Sequence, residues 1–287
     1  MTHRGATNNL AGKRKPEWLR KKVVFRASDP VKNELRKKRL NTVCESARCP
    51  NMGECFSRNT ATFMILGDVC TRNCPFCAVK TGKPALPDPA EPEKVAEMAR
   101  SMGLAHVVIT SVTRDDLPDG GAGQFAATVR AVREKNPGGR IELLVPDFDG
   151  DNRLLDVVLG EKPDVLNHNV ETVPSLYPRV RPRGDFKRSL GVLNYAAVCG
   201  FAVKSGIMVG LGETEEELLP TMRQIRAAGA GALTVGQYLA PSRNHAPVFK
   251  HHTEEFFEMI SRAAYEIGFE KVAAGPFVRS SYMADRL

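Results

Sequence analysis

The sequence predicts an α/β protein, a partial (β/α)6 barrel of the TIM type with an N-terminal and a C-terminal extension. Apolar strand-like runs alternate with helical patterns about every 35 residues between residues 61 and 267, which favours parallel strands joined by crossover helices. The alternation gives six units, fewer than the eight of a closed barrel. Polar segments follow the predicted strands, and barrel enzymes place their functional residues at these carboxyl ends.

The 287 residues are enough for one such barrel with short extensions. We expect an N-terminal extension at 1–60 with a helix at 30–40, the barrel at 61–267, and a C-terminal extension at 268–287 with an apolar tail at 271–278. The predicted strands are 61–69, 105–113, 140–146, 164–170, 202–210 and 232–238. The predicted helices are 92–102, 121–136, 151–159, 186–198, 213–228 and 253–267.

The composition, with 42% hydrophobic and 26% charged residues, is typical of a soluble globular protein. No apolar run approaches the roughly 20 residues needed to cross a bilayer. The N-terminus also lacks the apolar core of a signal peptide. We therefore expect a cytoplasmic protein that makes no membrane contact, and nothing in the sequence requires more than a monomer.

The chain is basic, with a formal net charge of +8 and basic runs at 13–15, 20–22 and 36–39 ahead of the first cysteine. Such a balance suggests an acidic partner, either nucleic acid or an acidic protein domain. Aromatic residues make up only 7% of the chain and do not accompany the basic runs, so base stacking is not indicated. We expect an acidic protein surface and no nucleic acid, although a solvated basic face would explain any single run.

Six of the seven cysteines are concentrated in two triplets. The first triplet, C-x4-C-x5-C, consists of Cys44, Cys49 and Cys55. The second, C-x3-C-x2-C, consists of Cys70, Cys74 and Cys77. Three close thiolates can each bind one iron of a cubane iron–sulfur cluster, which leaves the fourth iron for another ligand or for a small molecule. The triplets therefore indicate clusters at which chemistry takes place.

Disulfide bonds and structural zinc fit this cysteine pattern less well than iron–sulfur clusters do. A disulfide framework would not crowd its cysteines into one stretch of a long chain without a secretory signal. Structural zinc takes four ligands, often as two C-x2-C pairs, but only Cys74 and Cys77 have that spacing, and the nearest histidines in the sequence are remote. The seventh cysteine, Cys199, stands alone in an apolar helical pattern, and we expect it to be a small buried hydrophobic residue.

The second triplet resembles the signature of the radical S-adenosylmethionine (SAM) enzymes, and the presence of the first triplet before it resembles the lipoyl synthase family in particular. The resemblance extends over nearly the whole sequence from Lys15 onward. Its further motifs are Thr110-Ser-Val-Thr-Arg-Asp-Asp-Leu, Asp119-Gly-Gly-Ala, Glu171-Thr-Val-Pro, Tyr177-Pro-Arg-Val-Arg-Pro and Arg279-Ser-Ser-Tyr282.

The resemblance implies two [4Fe-4S] clusters and SAM as cofactors. Cys70, Cys74 and Cys77 would hold the cluster that binds SAM. The residues expected to contact SAM or substrate are Ser111, Thr113, Glu171, Arg181, Gly210, Glu213 and Gln237. Several of these and their neighbours have structural alternatives: Glu171 and Arg181 as an ion pair, Asp115 and Asp116 as helix caps, and Phe76 as ordinary core rather than a shield for the cluster.

Cys44, Cys49 and Cys55 would hold the auxiliary cluster, and the resemblance favours Ser281 over Ser280 as its fourth ligand. A serine oxygen is a harder ligand than a thiolate and matches cluster iron less well. The iron that it binds should be lost more easily, which suits a cluster that gives up its sulfide.

The reaction implied by the resemblance inserts two sulfur atoms at carbons 6 and 8 of a protein-bound octanoyl-lysine. The implied partners are octanoylated carrier domains of 2-oxoacid dehydrogenase complexes and of the glycine-cleavage H protein, an electron donor, and iron–sulfur assembly or repair proteins. One alternative is a tRNA methylthiotransferase, which would carry a nucleic-acid-binding barrel after the core, whereas this sequence ends five residues past Tyr282. The other is a non-catalytic iron–sulfur or zinc protein that binds nucleic acid.

Overall fold

The computed structural model describes residues 16–19, 29–58 and 60–286, and in that range strands and helices alternate. The strands are β1 Asn41–Thr42, β2 Thr62–Ile65, β3 Val69–Cys70, β4 Lys80–Thr81, β5 His106–Ser111, β6 Arg140–Leu144, β7 Val165–Asn167, β8 Val203–Val209, β9 Ala232–Gln237 and β10 Lys271–Gly275. The α-helices are α1 Asp29–Lys37, α2 Val43–Ser46, α3 Met52–Ser57, α4 Glu91–Ser101, α5 Ala122–Lys135, α6 Asn152–Leu159, α7 Tyr177–Val180, α8 Phe186–Val198, α9 Glu215–Ala227 and α10 Glu254–Ile267.

Eight of these strands form one sheet in the order β1-β2-β5-β6-β7-β8-β9-β10. Every neighbouring pair is parallel except β1 with β2. Within the described residues β1 and β10 remain the two edges, so the barrel is partial and does not close. The small pair β3 and β4 lies apart from this sheet. The predicted fold class is confirmed.

The six predicted barrel helices begin and end within two residues of their predicted limits, because their signals are local. Asp151 and Asp185 cap α6 and α8 by accepting hydrogen bonds from the amides of the first turn. Thr214 and Glu217 form a reciprocal capping box at the start of α9. Helix α10 ends at Gly268, whose φ of +102° is a left-handed conformation that glycine adopts readily.

The first predicted strand, at 61–69, is shorter than expected. Strand β2 ends at Ile65, and Leu66 and Gly67 then turn the chain with φ angles of +68° and +90°. A separate short strand, β3, follows and ends at Cys70. Apolar residues continue through the turn, which is why hydrophobicity alone did not reveal it.

Each predicted extension contributes an edge strand to the sheet. Strand β1 pairs with β2, and β10 pairs with β9 from Lys271↔Ala232 to Gly275↔Gly236. The prediction of an apolar tail at 271–278 was therefore wrong for its first five residues. Small residues and partial exposure weaken the strand signal of β10. The division of the chain at residues 60 and 268 remains a prediction.

The core between helices and sheet consists of strand residues such as Phe63, Ile109, Leu143 and Leu233, all inaccessible to solvent. Cys199 is not part of it. It caps the carboxyl end of α8 and is exposed, so the prediction of a buried residue was wrong. The buried face of α8 ends one turn earlier, at Ala196.

None of the helices that the structure describes is both long enough and apolar enough to span a membrane. The predicted helix at 30–40 is α1, which ends at Lys37. Of the three basic runs, the one at 36–39 lies at its end, while those at 13–15 and 20–22 lie outside the described residues.

Candidate functional site

The C-x3-C-x2-C segment forms a loop at the carboxyl ends of the parallel strands. Cys70 ends β3, whose pairing with β4 folds the loop back on itself. The Thr71 amide donates a hydrogen bond of 3.1 Å to the Thr113 carbonyl, just beyond the end of β5. The Cys77 amide donates to the Cys74 carbonyl at 2.9 Å, which places the last two thiols on one turn. These contacts gather the three cysteines at the end of the barrel where function was expected.

Two of the three thiols, those of Cys74 and Cys77, have a raised pKa. Burial raises the pKa of Cys74 to about 11 and that of Cys77 to about 12, and the neighbouring Cys70 adds to both increases. Such thiols are protonated at neutral pH, whereas iron binds the thiolate, so iron binding here would release protons. Among the described residues, no three His, Cys, Asp or Glu side chains converge on a point that a single metal ion could occupy. A four-iron cluster takes each thiolate at a different iron and needs no such point.

A cavity of about 200 Å³ lies beside these thiols. Its wall includes the polar or charged side chains of Arg72, Thr110, Ser111, Thr113, His168, Asn169, Glu171 and Arg181. The Ser111 hydroxyl and His168 Nε2 are buried and have no hydrogen-bonding partner among the described residues. Buried polar atoms are normally paired, so these two are available to a ligand. A cavity lined by both thiols and unpaired polar groups fits an iron–sulfur cluster with a polar molecule bound to it.

Glu171 and Arg181 enter this cavity but do not form an ion pair with each other in the described structure. Burial raises the pKa of Glu171, against the opposing charge of Arg181. The Arg181 Nη1 instead donates to the Asn169 carbonyl at 3.1 Å and to the Ser189 hydroxyl at 3.0 Å. Glu171 has a φ of +72°, and its amide and carbonyl both bond to strand β8. A residue held in this uncommon conformation is fixed in its orientation toward the cavity.

Gly210 and Glu213 lie in the turn after β8, Gln237 is the last residue of the neighbouring strand β9, and none of the three lines this cavity. The Glu213 carboxylate accepts hydrogen bonds from the amides of Gly210 and Leu211, at 2.5 and 2.9 Å. Gln237 Nε2 lies within hydrogen-bond distance, 2.9 to 3.1 Å, of three backbone carbonyls, those of Val209, Tyr238 and Lys250. Gly210 has a φ of +95°, and a Cβ there would lie 2.2 Å from Gln237 Nε2. The expected contact of these three residues with SAM remains a prediction.

Phe76 lines the cavity and also packs, half-buried, against a small apolar cluster that contains Leu211 and Tyr238. The packing agrees with the interpretation of Phe76 as a core residue, and its role as a shield for the cluster remains a prediction. Its packing connects the cysteine loop to the turn that carries Gly210.

Asp115 and Asp116 form ion pairs rather than helix caps. Asp115 binds Arg72, the middle one of the three residues between Cys70 and Cys74, with distances down to 2.9 Å. Arg72 also binds the fully buried Asp147 at 2.8 Å. Asp116 pairs with Arg114 at 2.9 Å. Two carboxylates from the ends of β5 and β6 thus brace the cysteine loop through a single guanidinium.

The first triplet lies on two short helices at the start of the described fold. Cys44 is in α2, Cys55 is in α3, and Cys49 lies between them with its amide bonded to the Cys44 carbonyl at 3.0 Å. Burial raises the pKa of Cys44 to about 12, and the nearby Cys49 and Cys55 add to the increase. The three thiols are therefore neighbours, as the sequence predicts for a second cluster site.

The two consecutive serines of the Arg-Ser-Ser-Tyr motif have different surroundings. The Ser281 hydroxyl accepts a hydrogen bond of 2.7 Å from the Thr62 hydroxyl, and the Thr62 amide bonds to the Cys44 thiol. Ser281 and Cys55 also line the same cavity, of about 380 Å³. The Ser280 hydroxyl instead lies between Asn167 and Asn169, at 2.9 Å from each. Ser281 is the serine beside the first triplet.

Arg72, Asp147, His168 and Asn169 belong to the site but were not predicted individually. Arg72 could have been singled out, because an arginine inside a cysteine loop needs a counter-charge if it is buried. The only sequence signal for Asp147 was its position just after the predicted strand 140–146, and the only signal for His168 was its position near the carboxyl end of the predicted strand 164–170. The unpaired Nε2 of His168 becomes visible only in the structure.

Comparison with known proteins is consistent with this geometry. The family model of the Radical SAM superfamily matches residues 64–225. The chain is 53% identical over 274 residues to the lipoyl synthase of Caldanaerobacter subterraneus subsp. tengcongensis, a match that covers 95% of this chain and 96% of that protein. It is 52% identical over 273 residues to the lipoyl synthase of Rubrobacter xylanophilus, covering 94% and 85% of the two chains.

Among solved structures, methylornithine synthase is similar with a TM-score of 0.56 at 15% identity, over 85% of this chain and 81% of that one. At so low an identity the similarity concerns the fold alone.

Proposed function

We propose, from the premise that the chain belongs to the lipoyl synthase family of the radical SAM superfamily, that its two cysteine triplets divide the work of one reaction. The protein is a sulfur-inserting enzyme that places two sulfur atoms at carbons 6 and 8 of a protein-bound octanoyl-lysine to form the lipoyl group. It uses a [4Fe-4S] cluster and SAM. The assignment of individual residues and of a second cluster is our proposal.

Cys70, Cys74 and Cys77 would hold the cluster that binds SAM. This cluster and SAM, when bound, supply one-electron cleavage of the sulfonium and hence hydrogen abstraction from a saturated carbon. Ser111 and Thr113 follow β5 and would bind polar groups of SAM or substrate in the cavity. Glu171 and Arg181, which line the same cavity, would do so as well, and burial strengthens their electrostatic contacts with a ligand.

The turn after β8 would position the ligand indirectly. Gly210, Glu213 and Gln237 have their polar groups bonded to one another or to backbone, and Leu211 of this turn packs against the cluster of residues that includes Phe76. A rigid turn at this point would hold one wall of the site in place, whether or not its own atoms touch SAM.

Cys44, Cys49 and Cys55 would hold the auxiliary cluster with Ser281 as the fourth ligand. The observation that carries this proposal is the hydrogen bond from Thr62 to Ser281, because Thr62 also bonds to Cys44. The match of a hard oxygen ligand to cluster iron is poor, so the iron beside Ser281 would be the first to leave when sulfide is withdrawn. Both inserted sulfur atoms would come from this cluster.

The enzyme acts on lipoyl carrier proteins, and its net charge of +8 would favour acidic carriers. We propose that these are the octanoylated domains of 2-oxoacid dehydrogenase complexes and the glycine-cleavage H protein. An electron donor and iron–sulfur assembly or repair proteins would serve the clusters. A monomeric state and a cytoplasmic location are parts of the same proposal.

The test is to incubate the anaerobically reconstituted protein with SAM, a reductant and an octanoyl-lysyl peptide, and to record the mass of the peptide. We expect two hydrogens to be replaced by two sulfurs with the unaltered protein. Ser281→Ala should still release 5′-deoxyadenosine but form little or no product. Ser57→Ala, which removes an exposed hydroxyl from α3, is the matched control. Full product formation by Ser281→Ala would reject this serine as a required ligand.

A further inference from the structure

Glu142 of β6 and Lys204 of β8 form an ion pair that is almost completely buried. Lys204 Nζ lies 3.1 Å from Glu142 Oε1, and each side chain is only 1% exposed. Taking both charges out of water costs more than such a pair usually returns, and an apolar pair of equal size would be at least as stable. The ion pair lies outside the cavity beside Cys70, so catalysis does not explain it. The hydrogen bonds that the residues around this ion pair make indicate a role for it.

A chain of directed hydrogen bonds leads from this pair to the C-terminal segment. Asn167 Nδ2, on the intervening strand β7, donates to Glu142 Oε1 and to the Ser280 hydroxyl, at 2.9 Å each. The Ser280 hydroxyl in turn donates to Asn169 Oδ1 at 2.9 Å. The Asn167 amide nitrogen donates at both of its contacts, and the Ser280 hydroxyl accepts from Asn167 and donates its own hydrogen to Asn169.

The charge of Glu142 fixes the direction of this chain. Burial alone would raise the pKa of Glu142, but hydrogen bonds from His106 and Asn167 and the charge of Lys204 lower it instead. An ionised carboxylate only accepts hydrogen bonds. Asn167 must therefore turn its amide nitrogen toward Glu142, and that nitrogen then also faces Ser280.

The C-terminal segment is held closely at other points as well. The Val278 carbonyl lies so near β9 that a Cβ on Gly236 would be 2.2 Å from it. Two residues beyond Ser280, the Tyr282 hydroxyl donates to Glu54 of α3 at 2.9 Å. Between these contacts, Ser280 and Ser281 turn their hydroxyls to different partners. A shift of the segment by one residue would place Ser280 where Ser281 now lies.

We propose that the Glu142–Lys204 ion pair, acting through Asn167 and Ser280, is a positioning device that fixes the register of the C-terminal segment and so presents Ser281, rather than Ser280, to the first cysteine triplet. The claim that this positioning presents a cluster ligand rests on the proposed function, in which Ser281 binds the cluster. The claim that the ion pair fixes the register of the segment does not, because the protein alone makes these contacts.

The direct test is amide hydrogen exchange of the full-length, metal-free chain, followed in peptides that cover residues 276–286. Ser280→Ala removes the shared hydroxyl, and we expect about tenfold faster exchange in this segment, the effect of losing a buried hydrogen bond of ordinary strength. Ser280→Thr keeps the hydroxyl and should restore slow exchange. Thr128→Ala, which removes a buried hydroxyl from α5, should leave the segment unchanged.

The role of the ion pair is tested by the double substitution Lys204→Met with Glu142→Gln, which removes both charges together and so avoids a lone buried charge. We expect this variant to accelerate exchange of the same peptides by about the same factor as Ser280→Ala. Combining all three substitutions should add little, because the contacts act as one unit. Additive effects would reject the connection between the ion pair and Ser280.

Spectroscopy of the reconstituted protein separates this proposal from the proposed function. Ser280→Ala should alter the signal of the auxiliary cluster, while the change that SAM causes in the other cluster persists. If Ser281→Ala leaves the auxiliary signal unchanged, the ligand assignment fails, but the exchange experiment still decides the positioning device. If Ser280→Ala exchanges as slowly as the unaltered chain, the positioning device is rejected whatever the clusters show.

Discussion

Removal of the Asp147 carboxylate should weaken the fold at the loop that carries Cys70, Cys74 and Cys77. Asp147 is fully buried and lies 2.8 Å from Arg72 and 3.2 Å from Arg188. Although burial opposes it, the hydrogen bond and charge of Arg72 lower the pKa of Asp147 from 3.8 to about 2. A shift of that size corresponds to about 2 kcal/mol of stability at neutral pH, at about 1.4 kcal/mol per unit. We expect Asp147→Asn to lose about this much.

The pH dependence of the unfolding free energy provides a second measurement of the contribution of the Asp147 carboxylate. Because the folded pKa of Asp147 is depressed, its contribution is present above the unfolded pKa and is lost as the pH falls through the folded one. At about pH 3 roughly 1 kcal/mol of it should be gone, so the difference between Asp147→Asn and the unaltered protein should shrink from about pH 5 to about pH 3. Urea denaturation followed by circular dichroism measures both proteins.

Asp149→Asn is the matched control for this experiment. Asp149 also pairs with Arg188, but its side chain is 82% exposed, and exposed ion pairs contribute little. Its stability should stay close to that of the unaltered protein over the same pH range. An equal loss in both variants, or a difference for Asp147→Asn that does not change with pH, would refute the reasoning.

Two further predictions follow from the backbone and the thiols. Gly210→Ala should lower the unfolding free energy by about 1–3 kcal/mol, because Gly210 has a positive φ and no room for a Cβ. The control is Gly191→Ala on α8, where a Cβ would meet open space, and we expect its melting temperature to be unchanged or higher. Equal melting temperatures for the two variants would contradict the prediction that a Cβ at position 210 strains the backbone. Cluster assembly at about pH 7 should release at least three protons per chain, from Cys44, Cys74 and Cys77, whose raised pKa keeps them protonated in the metal-free protein. A pH indicator measures the number of protons released. Cys199→Ser should release as many protons as the unaltered protein, and a smaller number in this variant would contradict the assignment of ligands.

The fold and the cysteine sites were predictable where their signals are local. Helix α6 is indicated by Asp151 and by its apolar spacing, and the two triplets are indicated by their spacing alone. Strand β10 was missed because Val-Ala-Ala-Gly gives little side-chain pattern and much of the strand is only partly buried. The burial of Cys199 was predicted wrongly because it lies at the end of α8, where a small difference in helix geometry decides whether a side chain faces the core or the solvent.

The electrostatic framework of the site was not predictable, because its members are far apart in sequence. Arg72 and Asp147 are separated by 75 residues, and Asn167 and Ser280 by 113. No spacing rule connects such pairs; only the meeting of strand ends brings them together. The distinction between Ser280 and Ser281, which the sequence alone could not make, depends on the same long-range contacts.

The central claim is that the cluster at Cys44, Cys49, Cys55 and Ser281 supplies both sulfur atoms. The most direct measurement uses protein reconstituted with a heavy sulfur isotope and then freed of unbound sulfide. This protein is incubated with SAM, a reductant, unlabelled sulfide in solution and an octanoyl-lysyl peptide, and the mass of the peptide is recorded. If the claim is right, the product carries two heavy sulfur atoms. A product with two light sulfur atoms would contradict it, because both would then have come from solution.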